Sequence, residues 1–311
     1  MVLSDAAVVA VVASAPLLPG TPPDALVVRR PAARLAAVVK FCRRNPLVLR
    51  GAVVVLVWVV VAIAAPLIAP YGPLTQRVVD RLQAPGVAYP FGTDALGRDI
   101  LSRVLYGGRI SLPVGLLVVS VAMVLGGLIG AVAGFGPAWA DGLLMRCTDM
   151  VMAFPIIILA MTIAAALGPG LDHTMIALVA VSWPRYAGVT RGLVLSVKEN
   201  EYVHASHALG ATEAYLLARV VLPNCLAPAV VIATLDLGNA ILTFSGLSFL
   251  GLGSPPPAPE WGAMVAAGTQ SFDQWWVGAF PGLAILTLVM AFNFIGDGVR
   301  DALDPRLRRG V

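Results

Sequence analysis

The chain has 311 residues, of which 59% are hydrophobic and 12% are charged, and its formal net charge is +4. Soluble domains carry about 25% charged residues, so this composition excludes an ordinary water-soluble enzyme, a disordered chain and a fibrous protein. It indicates a polytopic membrane protein. The basic residues are not grouped with aromatic ones, so we assign the positive charge to segments that flank the membrane and expect no nucleic-acid partner.

Several kinds of chemistry are missing from the sequence. Its three cysteines, Cys42, Cys147 and Cys225, are isolated, which supports neither a disulfide framework nor a zinc site. Its only lysines, Lys40 and Lys198, are not in a GK[ST] sequence, so the chain has no phosphate-binding Walker loop. Nor does it contain a catalytic triad or an HExxH motif. We therefore expect no enzymatic activity, metal or cofactor in this chain, and any ATP must be bound by another subunit.

Six apolar runs are long enough to cross a bilayer as helices, which takes about 20 residues each. They are predicted at 51–69, 112–134, 150–168, 174–193, 225–246 and 276–296. Residues 1–45 are expected to be a partly disordered cytoplasmic extension, and 46–110 a first span followed by an outer loop. Residues 111–297 would then form the core, with a cytoplasmic tail at 298–311.

The distribution of basic residues predicts the orientation. Most of the 21 lysines and arginines lie in segments on the N-terminal side of the membrane, so both termini are expected in the cytoplasm. Two pairs with i, i+4 spacing, Asp94–Arg98 and Asp99–Arg103, predict an amphipathic helix on the outer membrane face. In the last outer loop, Trp261, Trp275 and Trp276 either anchor the chain at the interface or reach toward an external partner.

Two spans carry residues that need an explanation in a membrane. Gly126, Gly127 and Gly130 have the small-residue spacing that permits close helix packing. Asp236 lies in mid-span, where a carboxylate is costly unless it faces protein or water. It either lines a translocation path or is a structural hydrogen-bond partner. The candidate path residues are Asp236, Asn239, Thr243, Ser245 and Ser248. Arg185 could pair with a carboxylate, but the sequence names no partner.

The segment before the fifth span predicts a short helical hairpin. Gly210 permits the left-handed turn that ends a first helix, and Thr212 can cap a second. Pro223 can open the following span at little cost. Such a hairpin at the membrane face suits a mechanical contact. We interpret His204 and His207 as part of a solvated or partner-facing surface rather than as metal ligands.

This segment resembles the EAA loop of ABC-transporter permeases, E-A-A-x3-G-x9-I-x-L-P. Aligned on Gly210, the chain has His204, Ala205 and Ser206 at the first three positions, and Val220, Leu222 and Pro223 at the last ones. Three other stretches resemble the dipeptide, oligopeptide and nickel permeases of this family. They are FGTDALGRDILSRVLYGGRISL at 91–112, LSFLGLG at 247–253 followed by PEWG at 259–262, and GDGVRDALDP at 296–305. One departure is Gly188, where the family often has arginine.

The resemblance implies an all-α, six-helix transmembrane domain of a type I ABC importer in the bacterial inner membrane. It implies a homologous permease partner, two ATPases or one fused ATPase that bind ATP and Mg²⁺, and an external substrate-binding protein, with membrane lipid around the subunit. The implied coupling loop is 197–223, and its ATPase-coupling residues are Glu201, His204, Ala205, Ser206, Ala208, Leu209, Gly210, Ala211 and Thr212. Trp261, Trp275 and Trp276 would contact the binding protein. The expected cargo is a di- or oligopeptide, with nickel or haem as the alternative. A secondary transporter would instead show inverted repeats, which we do not find.

Overall fold

A computed structural model describes residues 45–303 of the chain. The predictions for residues 1–44 and 304–311 therefore lie outside the described residues. Within 45–303 the secondary structure is helical, apart from one isolated bridge between Thr93 and Asp99. The nine main helices are α1 Pro46–Ile68, α2 Ile100–Phe135, α3 Ala138–Met152, α4 Ile156–Leu167, α5 Leu171–Lys198, α6 Glu201–Ala208, α7 Leu222–Phe249, α8 Trp261–Gly268 and α9 Trp276–Leu303.

Four helices are long and apolar enough to cross a membrane: α1, α2, the Pro228–Phe249 part of α7, and the Trp276–Asp301 part of α9. The count rises to five if α3 and α4 together form one span. The helix α5 has 28 residues, about 42 Å at 1.5 Å per residue, but is more polar than these four. The helical fold is confirmed, while the predicted number of six spans stays a prediction.

The third predicted span, 150–168, is not one continuous helix. Helices α3 and α4 meet at an angle of 89°, and Pro155 stands immediately before α4 rather than inside a helix. Proline lacks the N–H that a continuing helix would use, so its position suits a break. Across the bundle, the Arg191 guanidinium binds Asp141 of α3, with one N–O distance of 2.6 Å. That ion pair fixes α3 beside α5.

Helix α2 packs against α5 along a stripe of glycines. A methyl group on Gly126 would overlap the Trp183 carbonyl oxygen, and one on Gly130 would overlap that of Ala187. Gly134 continues the stripe, since a methyl group there would lie 2.9 Å from the Val194 side chain. Gly127, which the sequence grouped with them, packs less tightly, because a methyl group there would be in ordinary contact, 3.9 Å from the Thr190 hydroxyl of α5.

The connections collect at two ends of the bundle. At one end, which we call the loop end, lie 69–99, 168–170 and 250–275. Two hydrogen bonds join these connections to the helices. The Thr174 hydroxyl donates to the Leu252 carbonyl at 2.5 Å, and the Trp276 indole N–H donates to the Thr93 carbonyl at 3.3 Å. At the other end, which we call the hairpin end, lie 136–137 and 199–221.

The amphipathic helix predicted around 94–103 does not form as a separate element. Asp99 instead caps α2, where its carboxylate accepts the Ser102 N–H at 2.8 Å. Asp94 pairs with Arg98 at 2.6 Å as expected, but Arg103 lies 3.8 Å from Asp94 and not in a pair with Asp99. The same oxygen of Asp99 also accepts the Ser102 hydroxyl at 2.5 Å, so this carboxylate is directed at the first turn of α2. The C-terminal boundary predicted at 298 falls inside α9.

Candidate functional site

The segment 199–221 forms a helical hairpin at the hairpin end of the bundle. Helix α6 ends in a complete Schellman motif: the Gly210 N–H donates to the His207 carbonyl at 2.9 Å and the Ala211 N–H to Ser206 at 3.2 Å. Gly210 has φ +89°, a conformation that side chains disfavour. The Thr212 hydroxyl then accepts the Tyr215 N–H at 3.4 Å and caps the next turn. The predicted turn and cap are present.

The second half of the hairpin runs without a break into α7. A short helix, Glu213–Tyr215, is followed by a π-helical stretch, Leu216–Val221, and α7 begins at Leu222 with Pro223 in its first turn. The sequence predicted two separate helices, and the structure shows that only the first is separate. The part of the hairpin that follows Thr212 is therefore continuous with a long apolar helix of the bundle.

The hairpin is attached to the bundle by a small apolar core. Val203 of α6, which is 5% exposed, packs with Leu216, Val221 and Cys225, and with Val194 of α5. The opposite side of the hairpin is open. Leu209 is 89% exposed at its tip, beside exposed Glu201, His204, Ala205, His207 and Ala208. This side of the hairpin is therefore accessible to a protein partner.

The two histidines of α6 are not in a metal-binding arrangement. His207 lies 3.3 Å from the Glu213 carboxylate across the turn, and both side chains are largely exposed. Residues 45–303 contain no group of three or more His, Cys, Asp or Glu side chains placed to hold a metal ion.

An ion pair inside the membrane connects α5 and α7. The Arg185 guanidinium donates to the Asp236 carboxylate. Asp236 is 8% exposed, whereas the Arg185 side chain is 55% exposed. The sequence could not name this partner, because the two residues are 51 positions apart. The two opposite charges compensate each other, and Arg185 is the member of the pair that is accessible at the surface of the subunit.

The exposed sides of α5 and α7 near this pair form what we call the polar face. On α5 it comprises Arg185, Gly188 and Gly192, and on α7 Asn239 and Gly246. A methyl group on any of these glycines would meet nothing within 4 Å. Small and polar residues are unsuited to lipid hydrocarbon, so this face belongs against another protein or an aqueous path.

The predicted path residues do not all lie on this face. Asn239 is exposed and Thr243 is half-buried, with its hydroxyl on the Asn239 carbonyl at 2.8 Å. Ser245 and Ser248 are 4% and 2% exposed and face the chain's own loop end. There the backbone of Ser245 closely approaches Gly262. Both serines are therefore excluded from the path lining, since a side chain buried inside the subunit cannot reach it.

The three tryptophans of the predicted outer loop have different positions. Trp261 is 0% exposed and donates its indole N–H to the Val104 carbonyl at 2.9 Å, and Trp276 is 9% exposed. Neither indole is available to a binding protein, because both fill the core at the loop end. Trp275 is 62% exposed and is the one of the three that can contact a partner.

Glu260, which the sequence did not single out, organises this end. Its carboxylate caps α8 by accepting the Gly262 and Ala263 N–H groups, both at 2.9 Å. Burial raises the pKa of this carboxyl, and the two backbone donors oppose that rise. The signal available in the sequence was its place directly before an apolar helix.

The helical fold, the projecting hairpin and the polar face define a class: the membrane-embedded component of a transporter moved by a separate subunit. Comparison with known proteins gives the family. Residues 126–309 match the model described as binding-protein-dependent transport system inner membrane component, and residues 35–85 match the N-terminal transmembrane domain of oligopeptide transport permease C. The chain belongs to this family of inner membrane components of binding-protein-dependent transport systems.

Relatives match over most of their length. The di/tripeptide transport system permease protein of Pseudomonas aeruginosa is 45% identical over 271 residues, covering 85% of this chain and 89% of the relative. The probable D,D-dipeptide transport system permease protein of Escherichia coli is 42% identical over 272 residues, covering 87% and 91%. A glutathione transport system permease protein of Pectobacterium atrosepticum is 40% identical over 271 residues, covering 86% and 90%.

The fold is also found in a solved structure. An inward-facing conformation of the MetNI methionine ABC transporter superimposes with a TM-score of 0.55 at 20% sequence identity, covering 66% of this chain and 98% of that one. The predicted fold, the transmembrane domain of a type I ABC importer, is thereby confirmed. The chain is a multi-pass inner membrane protein and a permease component.

Proposed function

We propose that this chain is one of two permease subunits of an ABC importer for di- or oligopeptides, with both termini in the cytoplasm. The observation that carries the proposal is the hairpin 199–221, which ends in an exposed leucine and continues without a break into α7. The relatives are named for di/tripeptide, D,D-dipeptide and glutathione transport, which favours a peptide cargo over the alternatives of nickel or haem.

In this proposal the hairpin docks on a partner ATPase. The coupling surface is formed by Glu201, His204, Ala205, Ser206, Ala208, Leu209, Gly210, Ala211 and Thr212. ATP and Mg²⁺ are bound by the ATPase subunits, either two chains or one fused chain, and this permease holds no cofactor. Movement of the docked hairpin shifts α7 relative to α5, which alternates access between the two sides of the membrane.

The polar face is proposed to meet the homologous permease and to form one wall of the translocation path. Arg185, Asp236 and Asn239 support this, because a membrane-embedded ion pair with a half-exposed guanidinium requires a polar neighbour. Thr243 borders the same wall. At the loop end, Trp275 is proposed to contact the extracytoplasmic binding protein that delivers the peptide.

The test is reconstitution of the complete complex. The chain, tagged, is co-expressed with the products of the neighbouring genes, and the purified complex is placed in liposomes. We expect a peptide-loaded binding protein to raise ATP hydrolysis severalfold and labelled peptide to enter the liposomes only with ATP. Uptake driven by an ion gradient without any ATPase subunit would contradict the proposal.

A further inference from the structure

A groove lies on the side of the bundle away from the polar face. Its walls are α1 and α2, through Val59, Ile63, Leu112 and Leu116, and Phe292 of α9 contributes to its floor. Its volume of about 550 Å³ is within the range of roughly 300–1,000 Å³ usual for ligand pockets. The groove could therefore accommodate an apolar chain of substantial length.

One cation stands in this otherwise apolar groove. Among the described residues that line it, Arg109 is the only charged one. Its guanidinium lies 5.8 Å from the centre of the Tyr106 ring. No ion pair between residues 45 and 303 includes Arg109. An apolar cleft with a single free cation is complementary to an amphiphile with an anionic head.

The depth of Arg109 matches the headgroup region. Its neighbour Gly108 packs against Ala62, where an added methyl group would lie 3.3 Å from the alanine side chain. Arg109 is therefore level with a point six residues, about 9 Å, from the end of α1 at Ile68. With 23 residues, α1 is about 35 Å long, against roughly 30 Å of hydrocarbon. A flexible arginine can span the few remaining ångströms to the interface.

The surroundings of the groove favour lipid over a protein partner. Leu237 lines the groove from α7, and Asn239 of the polar face is about 200° further around the same helix. The exposed residues beside the groove are large and aliphatic, among them Val60, Leu67 and Leu117. These are the side chains that face hydrocarbon, whereas the small and polar residues that suit a second subunit lie on the opposite side.

We propose that the groove between α1 and α2 binds one anionic phospholipid of the phosphatidylglycerol class. An acyl chain occupies the apolar cleft and the phosphodiester pairs with Arg109. The groove lies within the helices, on the opposite side of the bundle from the polar face, and no residue of the hairpin lines it. The proposed site does not depend on the identity of the cargo.

The test counts bound lipid on the purified complex by native mass spectrometry during titration with phosphatidylglycerol. Arg109→Gln removes the charge, and Leu116→Trp fills the cleft from a side chain that is 45% exposed. Arg77→Gln is the matched control, because Arg77 is also exposed and also lies over a tyrosine, 5.2 Å from the Tyr71 ring, but is outside the groove. Diacylglycerol has the same acyl chains but no phosphate. Its binding therefore reports on the apolar cleft alone, without the contribution of Arg109.

We expect Arg109→Gln to weaken phosphatidylglycerol binding about tenfold and to leave diacylglycerol binding unchanged. Leu116→Trp should weaken the binding of both lipids. It also keeps the test valid if the complex with Arg109→Gln does not assemble. Arg77→Gln should match the wild type. The proposal is overturned if the wild-type complex retains no phosphatidylglycerol, as it would with a partner helix in the groove, or if the groove variants bind it as the control does.

Discussion

At the scale of single residues, Gly210 has the backbone conformation on which the proposed coupling hairpin depends. Its φ of +89° lies in a region where a β-branched residue is a genuine outlier. Gly210→Val should therefore distort the Schellman turn and displace Leu209, without touching any membrane-spanning segment. We expect peptide uptake to fall at least tenfold while basal ATP hydrolysis and expression persist. Uptake into liposomes measured beside phosphate release checks this.

The matched control is Gly210→Asn, because asparagine tolerates the left-handed conformation better than other side chains. It should retain most of the uptake. Equal loss of uptake in both variants, or none in either, would argue against the turn as the coupling element.

The Arg185–Asp236 pair predicts unequal effects of its two members. Arg185→Gln leaves a buried carboxylate without its cation, whereas Asp236→Asn leaves a half-exposed guanidinium. Removing one partner of a buried pair costs more than removing both. We expect Arg185→Gln to destabilise the complex by about 1–3 kcal/mol, Asp236→Asn by less, and the double variant to recover part of the loss.

Thermal unfolding of the detergent-solubilised complex gives these three values in one series. The account is contradicted if Asp236→Asn is the more damaging single change, or if the two substitutions are simply additive.

At the scale of elements, the glycine stripe on α2 holds α5 in the bundle although α5 is comparatively polar. Gly130→Val should force the two backbones apart, because even a methyl group would overlap the Ala187 carbonyl oxygen. Overpacking of this kind costs about 1–3 kcal/mol. Gly127→Ala is the control and should be nearly neutral, because the added methyl group would make only an ordinary contact with Thr190. Comparable melting temperatures for the two variants would show that the stripe is not the packing contact.

The cap of α8 gives a second prediction at this scale. Glu260→Ala removes the acceptor of two backbone N–H groups at a helix start and should cost about 1–2 kcal/mol. Asp273→Ala, an exposed carboxylate of the same outer loop, should have little effect. Thermal unfolding again provides the comparison, and a neutral Glu260→Ala would show that the cap is dispensable.

The elements also show how far the sequence could lead. Apolar runs locate the ends of α1 and α7 to within five residues, and the start of α9, because burial in lipid is a local requirement on composition. Helix α9 continues seven residues beyond the predicted end at 296. The Schellman turn at Gly210 and the cap at Thr212 are local too. Pro155 is a local signal for a break, but the 89° angle between α3 and α4 was not predictable. Nor was the burial of Ser245 and Ser248, since it depends on which elements lie opposite them. The same holds for Asp236, whose partner is on another helix.

At the scale of the whole molecule, the bundle has a loop end stabilised by buried tryptophans and a hairpin end attached through one small apolar core. The loop end is tied together by Trp261, Trp276 and Glu260, all nearly or fully buried. The hairpin end presents Leu209 and continues into α7. This asymmetry suits a subunit that is rigid on one side of the membrane and is moved from the other.

The most direct measurement of the central claim is site-specific cross-linking in the assembled complex. Leu209→Cys places a thiol at the hairpin tip, and Val79→Cys places one at the loop end, where the side chain is 97% exposed. We predict that Leu209→Cys forms adducts with the ATPase subunit and that Val79→Cys forms none. ATPase adducts from Val79→Cys alone, or from neither position, would contradict the account.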